Sequence, residues 1–251
     1  MFVLPDGLQV NKKNITEYLV REIVGGKLKH NQVLPNEIDF ATRFGVSRTM
    51  IRDVLKSLEG KGLIERKTNV GTRVRSIHSW NLLDQELLDW SRGILTQSRF
   101  LLSLMELRLI IEPQAAALAA VRANDEDLLK IRSDFARMGG GLEKEETISL
   151  DTEADIDFHK SIIKACGNLF LSQFGSAIQG ALHHTIYLSN KIRIDHKTSL
   201  ECHRRVIDAI ENRDPQKAYA AMCCVLNNAI TDLDLKVSGV ILTDFDTDSN
   251  G

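Results

Sequence analysis

Apolar residues recur at helical spacing through the first sixty positions. Ile15, Leu19, Ile23 and Val24 form one stripe and predict a helix from Asn11 to Val24, stopped by Gly25-Gly26. Ile38, Ala41 and Phe44 form a second, shorter stripe. Asn36 is its expected cap, and Asp39 stands where a capping-box acid would be. Ile51, Val54, Leu55 and Leu58 form a third stripe, opened by Ser47 and closed by Gly60 and Gly62. The period then changes. Leu63-Ile64 and the run from Thr72 to Arg75 predict two short strands around a turn at Asn69-Val70-Gly71.

Residues 78–97, with Trp80, Trp90 and the pattern Leu82, Leu83, Leu87, Leu88, predict a linker helix docked on a second domain. From Arg99 onward the period is helical again. Helices are expected over 98–122, 124–138, 151–165, 168–191 and 198–212, and from Pro215 to about Leu235 behind the Asp214 cap. The fold class is therefore mainly α: an N-terminal winged helix-turn-helix over 10–77, the linker over 78–97, and an all-α bundle of six or seven helices over 98–235. The acidic tail, 236–251, is expected to be disordered.

Helix, turn, helix and basic hairpin is the form in which a second helix enters the major groove and its N-terminal residues meet base edges. Here those residues are Ser47, Arg48, Thr49, Met50 and Arg52, and the wing tip is Asn69, Val70 and Gly71. Charge supports this placement. Residues 1–78 carry 14 Lys and Arg against 8 Asp and Glu, whereas the remainder carries 18 against 26. A basic front half suits a polyanion partner, and an acidic rear half does not.

At 251 residues, 43% hydrophobic and 26% charged, the chain is expected to be an ordinary globular protein of one or two domains. No run is apolar enough to span a bilayer, and Met1 to Lys13 lacks a signal-peptide pattern, so a cytoplasmic location and no membrane partner are expected. Cys166, Cys202, Cys223 and Cys224 form no CxxC pair and are expected to be buried free thiols.

The second domain announces chemistry where polar residues interrupt its apolar stripes. Asp155 and His159 head a stripe continued by Ile162, Ile163 and Cys166. His203 heads another, with Val206, Ile207 and Ile210. Arg108 lies on the inward face of the first long helix, with Leu101, Leu104, Ile111 and Ala115. A carboxylate and two imidazoles suit a divalent cation such as zinc. An inward Arg needs an anion and could fork onto a ligand carboxylate. The competing reading is a core Asp–His pair in which buried polar groups satisfy one another. His183-His184 is expected to be structural or superficial, because adjacent residues of a helix face different ways.

The segment LPNEIDFATRFGVSRTMIRDVLKSLEGKGLIERKTNVGTRV resembles the DNA-binding domain of GntR-family bacterial regulators. ELRLIIEPQAAALAA, DIDFHKSIIKACGN and SLECHRRVIDAIENRDPQKAYAAM resemble the helical ligand domain (FCD) of the FadR-type branch. The WNLLDQELLDW linker is most similar to repressors of galactonate and related sugar-acid operons. The resemblance implies a homodimer on a short palindromic double-stranded operator, released by a small carboxylate effector such as a sugar acid. It places Ser47, Arg48, Thr49 and Arg52 on DNA-contacting positions, and Asp155, His159 and His203 on metal-ligand positions. Two positions depart from the pattern. Ile38 stands where many members have Arg, and Val225 stands where a fourth, His ligand is usual, 22 residues after His203. Either the three remaining ligands hold a metal weakly with effector or water, or they bond the effector directly. Arg108 is the expected carboxylate partner. The alternatives are a hydroxy-acid effector such as lactate, and a metal-dependent enzyme carrying a DNA-binding domain.

Overall fold

The computed structural model describes residues 9–67, 70–91, 94, 98–140, 151–177, 179–192 and 195–235. The chain divides into two compact units, 1–96 and 97–251.

The first unit contains α1 (Lys12–Val24), β1 (Val33–Leu34), α2 (Glu37–Phe44), α3 (Arg48–Gly60), β2 (Ile64–Lys67), β3 (Gly71–Val74) and α4 (Gln85–Trp90). The expected caps Asn36 and Ser47 are made, and Asn11, which the sequence reading did not single out as a cap, caps α1. Asn11 accepts from the Asn14 amide, Asn36 from the amides of Ile38 and Asp39, and Ser47 from that of Met50. Gly45 closes α2 with φ 65° and ψ 36°, a left-handed conformation that lets the chain turn directly into the Ser47 cap. The three stripes then meet. Ile15, Leu19, Phe40, Val54, Leu55 and Leu58 are all buried.

The strands form one antiparallel sheet of order β1-β3-β2, with Leu34 opposite Thr72 and Ile64 opposite Val74. The periodicity anticipated β2 and β3. It missed β1, because two residues are too few to show alternation. Gly62 is required at φ 73°, since a Cβ there would collide with the Ser79 carbonyl.

The helix expected as a linker docked on the second domain is anchored within the first unit. Lys61, only 5% exposed, donates to Asp84 at 2.7 Å and Glu86 at 2.8 Å and lies 5.2 Å above the Trp90 ring. Arg21 donates to the Trp90 carbonyl, and Trp80 donates to that of Arg75. An amphipathic pattern reports that a face is buried but not against what.

The second unit is helical throughout its described residues: α5 (Ser98–Arg122), α6 (Asp125–Phe135), α7 (Thr152–Ala165), α8 (Leu169–Ala177), α9 (Gln179–Ile192), α10 (His196–Glu211) and α11 (Pro215–Asp232). Asp214 caps α11, with Pro215 in its first turn. The expected helix over 168–191 is described as α8 and α9 on either side of residue 178, which lies outside the described residues. The tail at 236–251 also lies outside them. The core runs along α5, α7, α10 and α11 through Met105, Ala116, Phe158, Ile162, Val206 and Leu226. The cysteine expectation needs correction. Cys202 of α10 and Cys224 of α11 form a disulfide, and only Cys166 and Cys223 are free thiols. Two cysteines 22 residues apart face each other because α10 and α11 pack antiparallel, and spacing along the chain did not reveal it.

Candidate functional site

Two sets of residues carry chemistry, one in each unit. In the first, Ser47 and the α3 residues Arg48 and Thr49 are exposed at the helix N-terminus, with Met50 half-buried beside them. Arg48 has no ion pair among the described residues, so its guanidinium is available to a ligand. Arg52 is different. It is held by Glu37 of α2, with Nη2 to Oε2 at 3.1 Å and Nε to Oε1 at 3.4 Å. Glu37 also lies 4.0 Å from Arg66, whose main partner is Glu59 at 2.6 Å. Ile38 is exposed beside these groups, where the resemblance would place another Arg. On the wing, Val70 and Gly71 are exposed, and Asn69 lies outside the described residues. Structure therefore separates two arginines that looked equivalent in the sequence.

In the second unit, Asp155, His159 and His203 do come together. Their ligand atoms lie within 4.8 Å of one another, and all three residues are buried. Helix α7 supplies Asp155 and His159 one turn apart, and α10 supplies His203 through helix packing. Phe158, fully buried, sets its ring edgewise to both imidazoles, at 5.8 and 5.2 Å between centroids.

The outer bonds of these residues fix their inner chemistry. His203 Nδ1 is 2.7 Å from the Ser199 carbonyl oxygen, which can only accept, so Nδ1 carries a proton and the neutral ring turns a lone pair inward at Nε2. His159 Nδ1 lies 2.5 Å from Glu112 Oε2, an ion-pair distance outside hydrogen-bond geometry, so the His159 tautomer is not fixed in the same way. Asp155 Oδ2 accepts from Asn190, which leaves Oδ1 facing inward. Asp155 Oδ1 then lies 3.3 Å from His159 Nε2 and 3.4 Å from His203 Nε2. Within the cluster, Asp155 Oδ1, His159 Nδ1 and His203 Nε2 are buried without a hydrogen-bond partner. While the rings are neutral, acceptors face one another here, and buried polar groups left that way are costly; a ring carrying a second proton donates to Asp155 instead. A cation or added protons would satisfy them.

Burial alone would raise the Asp155 carboxyl, but bonding to His159 and His203 outweighs it and holds Asp155 well below the ordinary carboxylate range. Burial likewise opposes ionisation of Glu112, yet the Arg108 and His159 charges win and hold it at about 2. His159 is pulled down by burial and raised more strongly by Glu112 and Asp155.

Arg108, 1% exposed, already has an anionic partner. Its Nε donates to Glu112 at 2.6 Å, and Nη1 donates to Thr185 at 3.1 Å. Sequence reasoning singled out Arg108 and missed Glu112, although it lies four residues on along the same helix face. It also missed Asn190. Arg108, Asp155, His159, Ser189, Asn190, His203 and Val225 are among the residues lining a cavity of about 10 Å³, room for one water-sized group. His183, expected to be structural or superficial, pairs with Glu153 at 2.9 Å and stacks on Tyr187.

Residues 11–74 match the family model of bacterial regulatory proteins of the gntR family, and residues 103–228 match the FCD domain. The chain is 32% identical over 217 residues to the HTH-type transcriptional regulator YieP of Escherichia coli K12, covering 85% of this chain and 91% of that protein. The chain belongs to the GntR family of transcriptional regulators. Over 206 residues it is also 31% identical to the galactonate operon transcriptional repressor of the same organism, covering 81% of this chain and 88% of that protein. The solved structure of Lar, which controls the Listeria monocytogenes agr system, covers 91% of this chain and aligns over 99% of its own, with TM-score 0.61 and 19% identity; it supports the fold alone.

GntR regulators bind DNA operators and small-molecule effectors, so the enzyme alternative falls. Among GntR proteins with this domain a metal is implied, and the donor set here fits one: one carboxylate oxygen and two imidazole nitrogens, with the His203 ring fixed by the Ser199 carbonyl. Val225 offers no fourth donor and lines the cavity.

Proposed function

We propose that this GntR regulator is a homodimeric, cytoplasmic repressor of a sugar-acid catabolic operon. It is released from a palindromic operator when a small carboxylate binds at Asp155, His159 and His203 together with a divalent cation such as zinc. The observation that carries this reading is the convergence of ligand atoms from three buried residues, Asp155, His159 and His203, within 4.8 Å of one another. When bound, the cation supplies a Lewis-acidic centre with coordination positions left open by Val225.

Charge then favours the class of effector. With both imidazoles neutral, Arg108 and a dication outweigh Glu112 and Asp155 by one positive charge. A buried site needs that charge balanced, and a monocarboxylate balances it. Arg108, braced by Glu112 and Thr185, is positioned to contribute a remaining N–H to the carboxylate. The cavity, at about 10 Å³, is too small for a six-carbon acid, so binding would favour an opened arrangement of α9 and α11 around it. Ser47, Arg48, Thr49, Met50 and Arg52, with Asn69, Val70 and Gly71 on the wing, would form the reading surface.

A second reading, a three-carbon hydroxy acid such as lactate, is favoured by the same small cavity. A far larger cleft of about 880 Å³ over α6, α7 and α8 is a weaker candidate. Two of its lysines are already neutralised, Lys130 by Asp134 and Lys160 by Asp157. Thermal-shift measurements with sugar acids and with lactate, each with and without added zinc, test the proposal. A sugar acid should stabilise the protein only with zinc present. Stabilisation by lactate alone would move the assignment to the second reading.

A further inference from the structure

The third ligand of the cluster is placed differently from the other two. Asp155 and His159 are one turn apart on α7, so helix geometry aligns them without help. His203 stands alone on α10 and reaches the site only as far as α10 is held in place. The residue directly before His203 is Cys202, and its sulfur is bonded to Cys224 of α11, with the two Cα atoms 6.1 Å apart. The residue directly after Cys224 is Val225, which lines the same cavity. One covalent bond therefore ties the two helices one residue from the site on each side.

Disulfides do not ordinarily persist in reducing compartments, and those that form there are mostly transient or redox-sensing. A DNA-binding regulator carrying such a bond beside its ligand site is thus a candidate sensor. We propose that Cys202 and Cys224 form a reversible thiol–disulfide pair that sets how firmly α10, and with it His203, is held at the site. This rests on the reading of the protein as an intracellular regulator, and it adds an input separate from the carboxylate effector.

The chemistry needs an oxidant and a reductant of ordinary classes. Cys224 is the more exposed residue of the two, half-buried where Cys202 is 2% exposed. The Cys224 thiolate attacks a hydroperoxide, and the O–O bond breaks. The sulfur becomes a sulfenic acid and the other oxygen leaves as alcohol or water. The Cys202 sulfur then attacks that sulfenic sulfur, the S–S bond forms, and the hydroxyl leaves as water. Two thiols have lost two electrons and two protons, and the peroxide has gained them. A small dithiol reverses the step by two thiol–disulfide exchanges and leaves as its own disulfide. Asn228 donates to Cys202 Sγ at 3.5 Å and so supports the sulfur in either state.

The full-length protein is treated with hydrogen peroxide or with dithiothreitol, alkylated under denaturing conditions and digested. Oxidised protein should yield a linked peptide joining Cys202 to Cys224, and reduced protein should yield both as alkylated thiols. Native amide exchange across Leu200–Ile207 should be about tenfold slower in the oxidised form. Cobalt(II) should bind the oxidised form about tenfold more tightly, because the third ligand is preorganised. Its spectrum should lack the thiolate charge-transfer band, which separates this site from binding by the free cysteines. Cys224→Ser should behave as the reduced protein under both treatments. Absence of the linked peptide, or its presence with amide exchange unchanged, would overturn the proposal. If exchange responds to oxidation while neither form binds cobalt, the redox pair stands and the cation reading fails.

Discussion

The two units display functional residues in opposite ways. At the start of α3, side chains that can read a ligand stand in solvent, and what distinguishes them is whether an internal partner already holds them. Arg48 has no ion pair among the described residues, whereas Arg52 is forked onto Glu37. In the helical unit every residue of interest is buried and bonded on its outer side: His203 to Ser199, Asp155 to Asn190, and Arg108 to Glu112. There the signal is the atom that the bonds leave over. A surface site is found by asking which charges are free, and a core site by asking which acceptors face one another.

Removing a brace should do most harm where the charges are buried. Glu112→Ala would leave Arg108 and His159 without their carboxylate, and loss of one partner of a buried pair costs about 3–5 kcal/mol. Chemical denaturation should show the helical unit destabilised by about that much. Unchanged stability would mean that the Arg108–Glu112–His159 chain does not exist in solution.

At the surface the same logic is milder. Arg48→Ala should weaken specific operator binding by about 1–3 kcal/mol while leaving the dimer intact by sedimentation. Undiminished specific binding in a gel shift would remove Arg48 from the reading surface. Arg52→Ala should cost less, because Glu37 must be given up before Arg52 can reach a base. Glu37→Ala releases Arg52 and should tighten operator binding several-fold at low salt, with the gain fading as salt rises. A loss on Glu37→Ala would show that the pair shapes the surface rather than restrains it.

How far the sequence disclosed each unit follows from the same contrast. The caps Asn36, Ser47 and Asp214 and the helices they open were legible, because capping is local chemistry. Asp155, His159, His203 and Arg108 were legible as polar intrusions into apolar stripes. Glu112 was missed although it lies one turn from Arg108 on α5, and Asn190 was not legible, since its role depends on which helix lies opposite. The Cys202–Cys224 bond, the short β1 and the packing of α4 against Lys61 were hidden for the same reason. Each is a pairing across sequence distance, and periodicity carries no information about partners.

Acid should act on the core site and not on the recognition surface. Ionised Glu112 has its carboxyl lowered from 4.5 to about 2. Its stabilising contribution is therefore complete above about 4.5 and is lost as pH falls towards 2. Glu112→Gln should flatten the fall in stability across that window, followed by circular dichroism of the helical unit. An unaltered acid transition would place the carboxylate outside the buried network.

The most direct test of the account is titration calorimetry of the metal-stripped protein with zinc, followed by a sugar acid. Wild type should take up one zinc per chain, and the acid should then bind and release a labelled operator. Asp155→Ala and His203→Ala should lose the zinc and, with it, the response to the acid, while still binding operator. Full response to the acid in a zinc-free Asp155→Ala protein would contradict the central claim that these three residues gate release.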